Sequence, residues 1–253
     1  MRGDVAAYVI CTSPRSGSTL LCNMLRATCV AGNPDSWFHR PSLDDWARGL
    51  GVDGDGFDEA AYVSRLFRTA RELGSGSANM FGLRLQRQSF AFFFETLRRH
   101  DPFSKSDVDS FERSFGPTRF IHLTREDKVE QAVSYVRAQQ SGLWHVGVDG
   151  TELERVAPHR DPRYDESVIR AQVEIFTEFD RLWTAWFAQE RIQPLRVSYA
   201  RLADDPVIVT RDVLMSLALD PSSADDVEPG VRKMADATTE DWVKRFRAES
   251  ERG

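Results

Sequence analysis

Apolar residues run almost unbroken through Ala7-Tyr8-Val9-Ile10-Cys11, which predicts a strand buried on both faces of a parallel sheet. Ser18 to Thr28 comes next, with Leu20, Leu21, Met24 and Leu25 at helical spacing, so strand, glycine-containing turn and helix follow in direct succession. The alternation then repeats. Helices are expected over Phe57 to Leu73, Ser89 to His100 and Asp127 to Gln140, and strands over Met80 to Leu85 and Arg119 to Thr124. Asp165 to Gln189 predicts a long helix whose apolar stripe, including Ile169, Phe176, Trp183 and Phe187, reads as core packing rather than a cofactor surface. A strand over Leu195 to Tyr199, a helix over Pro206 to Leu217 opened by its proline, and a charged helix over Thr239 to Ser250 complete the pattern. Such alternation predicts an α/β fold with a mostly parallel central sheet. No repeat or long linker interrupts it, so residues 1–253 read as one domain. Asp53 to Asp58 and Leu143 to Arg163, rich in Gly, Asp and Pro, read as loops over a site.

Composition narrows the function classes. With 33 Lys and Arg against 39 Asp and Glu, the net charge of −6 gives no global attraction for nucleic acid, so an anionic ligand would need a local basic cluster. Met1-Arg2-Gly3-Asp4 shows no signal-peptide pattern and no apolar run could span a bilayer, so a cytoplasmic protein is expected. Cys11, Cys22 and Cys29 lack redox or metal spacing and read as reduced core thiols. The five scattered histidines argue against a metal site.

Pro14-Arg15-Ser16-Gly17-Ser18-Thr19 lies between the first strand and its helix, where open α/β sheets bind ligands. Gly17 lets the chain curl, Ser16, Ser18 and Thr19 offer hydroxyls, the amides opening the helix point into the loop, and Arg15 adds a charged planar fork. The Walker lysine is absent, and a plain serine-capped turn is the competing reading. Later, Arg125 follows a strand and Ser134 lies two turns into the next helix, so the two can converge on one anion; a surface Arg and a solvated Ser is the alternative.

Together, Arg15-Ser16-Gly17-Ser18-Thr19 with Arg125 and Ser134 resembles the two-phosphate signature of sulfotransferases that use 3′-phosphoadenosine 5′-phosphosulfate (PAPS). Ser13 to Leu21, Arg26-Ala27-Thr28, Val30 to Pro34, Gln131 to Ser134, Trp144, Trp186-Phe187, Tyr199 to Pro206 and Asp241-Trp242-Val243 extend the resemblance to the bacterial carbohydrate sulfotransferases typified by mycobacterial trehalose 2-sulfotransferase. The resemblance implies a P-loop-NTPase-like three-layer fold, PAPS as donor, adenosine 3′,5′-bisphosphate as product, a sugar or glycolipid acceptor, and an assembly that includes homodimers in related enzymes. It assigns Pro14 to Thr19 to the 5′-phosphosulfate, with Arg15 stabilising the leaving oxygen, and Arg125 with Ser134 to the 3′-phosphate. Arg232, Lys233, Thr238 and Thr239 stand where related enzymes close over the nucleotide.

The resemblance also exposes a departure: Ser36 occupies the position of the glutamate proposed as base in related enzymes. Asp35 and His39 are the nearby substitutes, the first a carboxylate and the second able to titrate near neutrality; a turn residue and a loop histidine are the bland alternatives. Arg84 holds a lysine position of related enzymes and can reach the site or pair at a strand end. Trp37, Trp144 and His145 are candidates for an acceptor wall, since sugar faces stack on aromatic rings, with a core role competing for Trp144.

Overall fold

Ala7–Thr12 forms strand β1, and every side chain in it is buried. The computed structural model describes residues 5–53, 58–147, 149–230 and 236–252. After β1 come α1 (Ser18–Ala27), α2 (Leu43–Leu50), α3 (Glu59–Ser75), β2 (Phe81–Gln86), α4 (Arg87–His100), α5 (Asp107–Phe115), β3 (Thr118–Thr124) and α6 (Lys128–Ser141). A hairpin of β4 (Leu143–Val146) and β5 (Glu152–Arg155) leads to α7 (Glu166–Gln189), β6 (Leu195–Ser198), α8 (Tyr199–Asp204), α9 (Pro206–Ser216) and α10 (Ala237–Ser250).

The main sheet has the order β2-β1-β3-β6, and all its pairings are parallel. This is the expected α/β architecture, with helices covering both faces. Successive residues of β1 point to opposite faces, so Ala7, Val9 and Cys11 enter one core while Tyr8 and Ile10 enter another. The first core is aromatic, built around Phe38, Trp46, Phe93, Phe111 and Trp183; the second is aliphatic, with Leu21, Ile121, Leu123, Val197 and Val213. A third cluster joins α6, α7 and α10 through Val133, Phe176 and Trp242. β2 lies on one side of β1 and β3 on the other, so the chain changes direction between β1 and β3. The crevice beyond that switch is the default ligand position in open α/β sheets.

The long apolar stripe proves to be packing, as read. Trp183 is fully buried, stacks on Phe187 and donates from Nε1 to the Thr12 carbonyl at 3.0 Å, pinning α7 to the end of β1. Trp183→Phe should therefore lower stability by about 1–3 kcal/mol, mostly from the unpaired carbonyl, as urea denaturation would measure.

Several expectations change. Leu143 to Arg163 is not all loop, because it contains the β4–β5 hairpin. Helices α2 and α5 arise where no element was expected. Each opens with a serine cap: Ser42 accepts from the Asp45 amide and Ser106 from the Asp109 amide, both at 3.2 Å. Tyr199 is not a strand residue but begins α8, capped by Ser198. Cys29 is an exposed thiol just past the end of α1, not a core residue. Among the described residues no helix is long and apolar enough to cross a membrane.

Candidate active site

The turn after β1 is held open by its own polar groups. Ser16 donates to the Ser13 carbonyl at 2.8 Å, and Gln131 of α6 donates to the Pro14 carbonyl at 2.7 Å and to Ser13 Oγ at 2.9 Å. Arg15 (φ 62°) and Gly17 (φ 88°) both take left-handed conformations that reverse the chain. Gly17 caps α1 without any side-chain acceptor, which leaves the first amides of that helix facing the turn. A β-carbon at Gly17 would lie 2.7 Å from the Tyr199 ring, so the loop also needs glycine for space.

Two arginines meet there. Arg15 donates from Nε to Ser134 Oγ at 3.0 Å and from Nη1 to the Trp144 carbonyl at 2.5 Å. Burial, then the neighbouring Arg125 charge, push its pKa down to about 10, so it stays protonated near neutrality. Arg125, nearly fully buried, donates to the Arg15 carbonyl at 3.3 Å and to Glu130 at 2.8 Å, and its guanidinium lies 4.3 Å over the Tyr199 ring. Its Nε is buried with no hydrogen-bond partner among the described residues. The cluster thus brings two guanidinium groups together, one of them paired with Glu130.

A second network begins at Arg84 on β2. Its guanidinium donates to Thr19 Oγ1 at 2.9 Å, Ser36 Oγ at 2.8 Å and Asp35 Oδ1 at 3.2 Å. Thr19 Oγ1 is also 3.0 Å from His145 Nε2, and that nitrogen is 3.4 Å from Glu154 Oε2. Burial, then the charges of Arg15 and Arg84, push the His145 pKa down to about 4, so its imidazole is neutral at pH 7. Both networks open onto one cavity of about 690 Å³, within the range of small-molecule sites. Among the described residues no group of His, Cys, Asp and Glu side chains is placed to hold a metal ion.

Residues 7–249 match the family described as Stf0 sulphotransferase. The chain belongs to this sulfotransferase family. Two similar proteins are named trehalose 2-sulfotransferase. One, from Mycolicibacterium smegmatis, is 29% identical, and the other, from Mycobacterium tuberculosis, is 28% identical; both comparisons cover 100% of this chain and 98% of the relative. A solved sulfotransferase from Alicyclobacillus acidocaldarius superposes with a TM-score of 0.45 at 15% identity, covering 96% of this chain and 91% of that one. The sulfotransferase domain of the Synechococcus PCC 7002 olefin synthase gives 0.47 at 16% identity, covering 95% and 94%.

In this sulfotransferase the cavity wall includes Pro14, Arg15, Gly17, Ser18, Thr19, Arg84, Arg125, Ser134, Trp144 and His39. Ser16 is brought to the loop but not to the wall: it is fully buried, its hydroxyl is used inside the turn, and it is a brace rather than a ligand group. Asp35, expected as a substitute base, is not on the wall. Its carboxylate accepts from Arg84, from the Ser36 amide at 2.7 Å and from Arg26 at 3.5 Å. Trp37, expected in the acceptor wall, instead turns its indole into the aromatic core and donates to the Gly82 carbonyl at 3.1 Å. Ser134 and Arg125 both border the cavity, but Ser134 bonds Arg15 rather than sharing a group with Arg125. Arg232 falls outside the described residues. Thr238 is exposed on α10 and off the wall, whereas Thr239 lines the cavity and is fixed, with Asp236, by Arg137.

Sequence reasoning passed over Gln131, Tyr199 and Glu154 as site residues. Gln131 and Tyr199 sit in segments that carried the family resemblance, but nothing in their type foretold a brace and a stacking platform. Glu154 reaches the cavity only through the unexpected hairpin.

Proposed function

We propose that the protein transfers a sulfuryl group from PAPS to a hydroxyl of a carbohydrate or glycolipid by in-line displacement at sulfur. The observation that carries this is the pair of neighbouring arginines, half-buried Arg15 and buried Arg125, at the sheet's switch point against the uncapped start of α1. In this reading Arg15 and the loop amides hold the 5′-phosphosulfate and stabilise the negative charge that grows on the leaving phosphate oxygen. Arg125 and Ser134 bind the 3′-phosphate, and that contact distinguishes PAPS from ATP. Thr239 would close over the nucleotide from the start of α10. Trp144 and Arg84 face the acceptor. A sugar is favoured because the two full-length relatives are named for trehalose.

Calorimetry tests the donor half. Wild-type protein should bind adenosine 3′,5′-bisphosphate more tightly than adenosine 5′-monophosphate. Arg125→Ala should lose about 10- to 100-fold in bisphosphate affinity, the worth of a charged hydrogen bond, while changing monophosphate affinity little. Mass spectrometry of PAPS incubated with trehalose, other sugars and lipid alcohols tests the acceptor half. Stabilisation by ATP and magnesium but not by the bisphosphate would point to phosphoryl transfer instead.

A further inference from the structure

We infer that His145, with Glu154 against its Nε2, takes the proton from the acceptor hydroxyl in place of the carboxylate missing at position 36. The inference rests on the PAPS reading above. Three other groups near the site are less suited. Ser36 accepts a hydrogen bond from Arg84 and has no basic atom. Asp35 lies off the cavity wall with its oxygens engaged by two arginines and an amide. His39 lines the cavity, but its ring makes no hydrogen bond among the described residues and has no link to the donor loop. His145 has that link: Nε2 is 3.0 Å from the hydroxyl of Thr19, a residue of the loop itself.

The groups facing His145 set its chemistry. Arg15 from the loop and Arg84 from β2 disfavour a proton on the ring, while Glu154 from β5 favours one. A bound donor brings negative charge against Arg15, which offsets part of that repulsion, so the imidazole becomes more basic when PAPS is present. In the step itself, with the resting ring proton on Nδ1, the acceptor hydroxyl takes the place of the Thr19 hydroxyl at Nε2; its oxygen forms a bond to sulfur as its proton passes to that nitrogen. The bond between sulfur and the 5′-phosphate oxygen breaks, and its electron pair leaves on adenosine 3′,5′-bisphosphate. Glu154 then steadies the imidazolium.

The test uses His145→Gln and Glu154→Gln in the full chain, with PAPS and either trehalose or water as acceptor, between about pH 3 and 8, a window that brackets the lowered His145 titration. Transfer to water releases the same proton, so the test needs no known sugar. The wild-type rate should fall on the acid side. His145→Gln should lose about 10²- to 10⁴-fold in kcat with KM for PAPS retained, and should lack the acid limb. Glu154→Gln should keep that limb but move it to lower pH, because the protonated ring has lost its counter-charge. By NMR, the His145 titration should shift upward on adding adenosine 3′,5′-bisphosphate. Wild-type rate and acid limb in His145→Gln, or loss of the limb in His39→Ala alone, would overturn the inference while leaving the donor reading intact. A wild-type protein that neither binds the bisphosphate nor consumes PAPS would overturn the donor reading first, and this inference with it.

Discussion

Arg15→Ala is expected to slow sulfuryl transfer about 10²- to 10³-fold, the loss typical when one preorganised donor is removed from a developing oxyanion. The guanidinium is fixed before any ligand arrives, by Ser134 Oγ and the Trp144 carbonyl, so little reorganisation is needed when charge grows beside it. Arg15→Lys should rescue only partly. A lysine has no fork to span those two partners, and the burial and Arg125 charge that lower the arginine pKa would lower an ammonium's as well. Its residual activity should therefore decline as pH rises, through loss of the proton. Folding and chemistry can be separated at this position because Arg15 sits at φ 62°, a conformation glycine adopts without strain. Arg15→Gly should melt no lower than Arg15→Ala, yet be as slow in single-turnover assays with PAPS.

The second large effect is expected at Gly17. Alanine there meets two obstacles: a left-handed backbone (φ 88°) that disfavours an L residue by about 1–2 kcal/mol, and the Tyr199 ring 2.7 Å from the new β-carbon. Relief requires the ring to move, and that ring supports the Arg125 guanidinium. Gly17→Ala should thus lower the melting temperature and also weaken binding of adenosine 3′,5′-bisphosphate by 10-fold or more, on the order of 1.4 kcal/mol. Adding Tyr199→Leu to Gly17→Ala should restore part of the stability but not the affinity. Stability losses that simply add would show that the clash is not the cause.

The parallel sheet was legible because β1 is buried throughout and reads as an apolar run; the edge strands β2 and β6 instead alternate apolar with polar residues, and it was the helices between the strands that marked the sheet as parallel. The turn after β1 was legible because Gly17 follows an apolar run directly and takes a left-handed conformation that glycine favours. What was hidden lay where local sequence does not carry the cause. The hairpin of β4 and β5 is half polar, and its strands are recognisable only as a pair. Helices α2 and α5 are short, and their serine caps, each followed three residues later by Asp, were the available signal. Trp37 reads as part of an acceptor wall, but its indole packs against the aromatic core and donates to the Gly82 carbonyl, a contact no local pattern announces. Asp35 sits beside Ser36 in sequence, yet the turn aims its carboxylate at Arg26 and Arg84, which no spacing rule foretells.

Among the described residues the β4–β5 hairpin pairs only with itself and contributes no strand to the main sheet. Trp144, His145, Glu154 and Val156 on or beside it face the same cavity as the anion loop. A flap attached in this way can change its residues, or its length, without disturbing a single strand pairing of the sheet that carries the loop after β1. Substrate preference in such a molecule can drift quickly through mutation of the flap while the loop after β1 stays constant. An engineer seeking a new acceptor would therefore vary the side chains of Trp144 and Val156 first and keep His145 and Glu154.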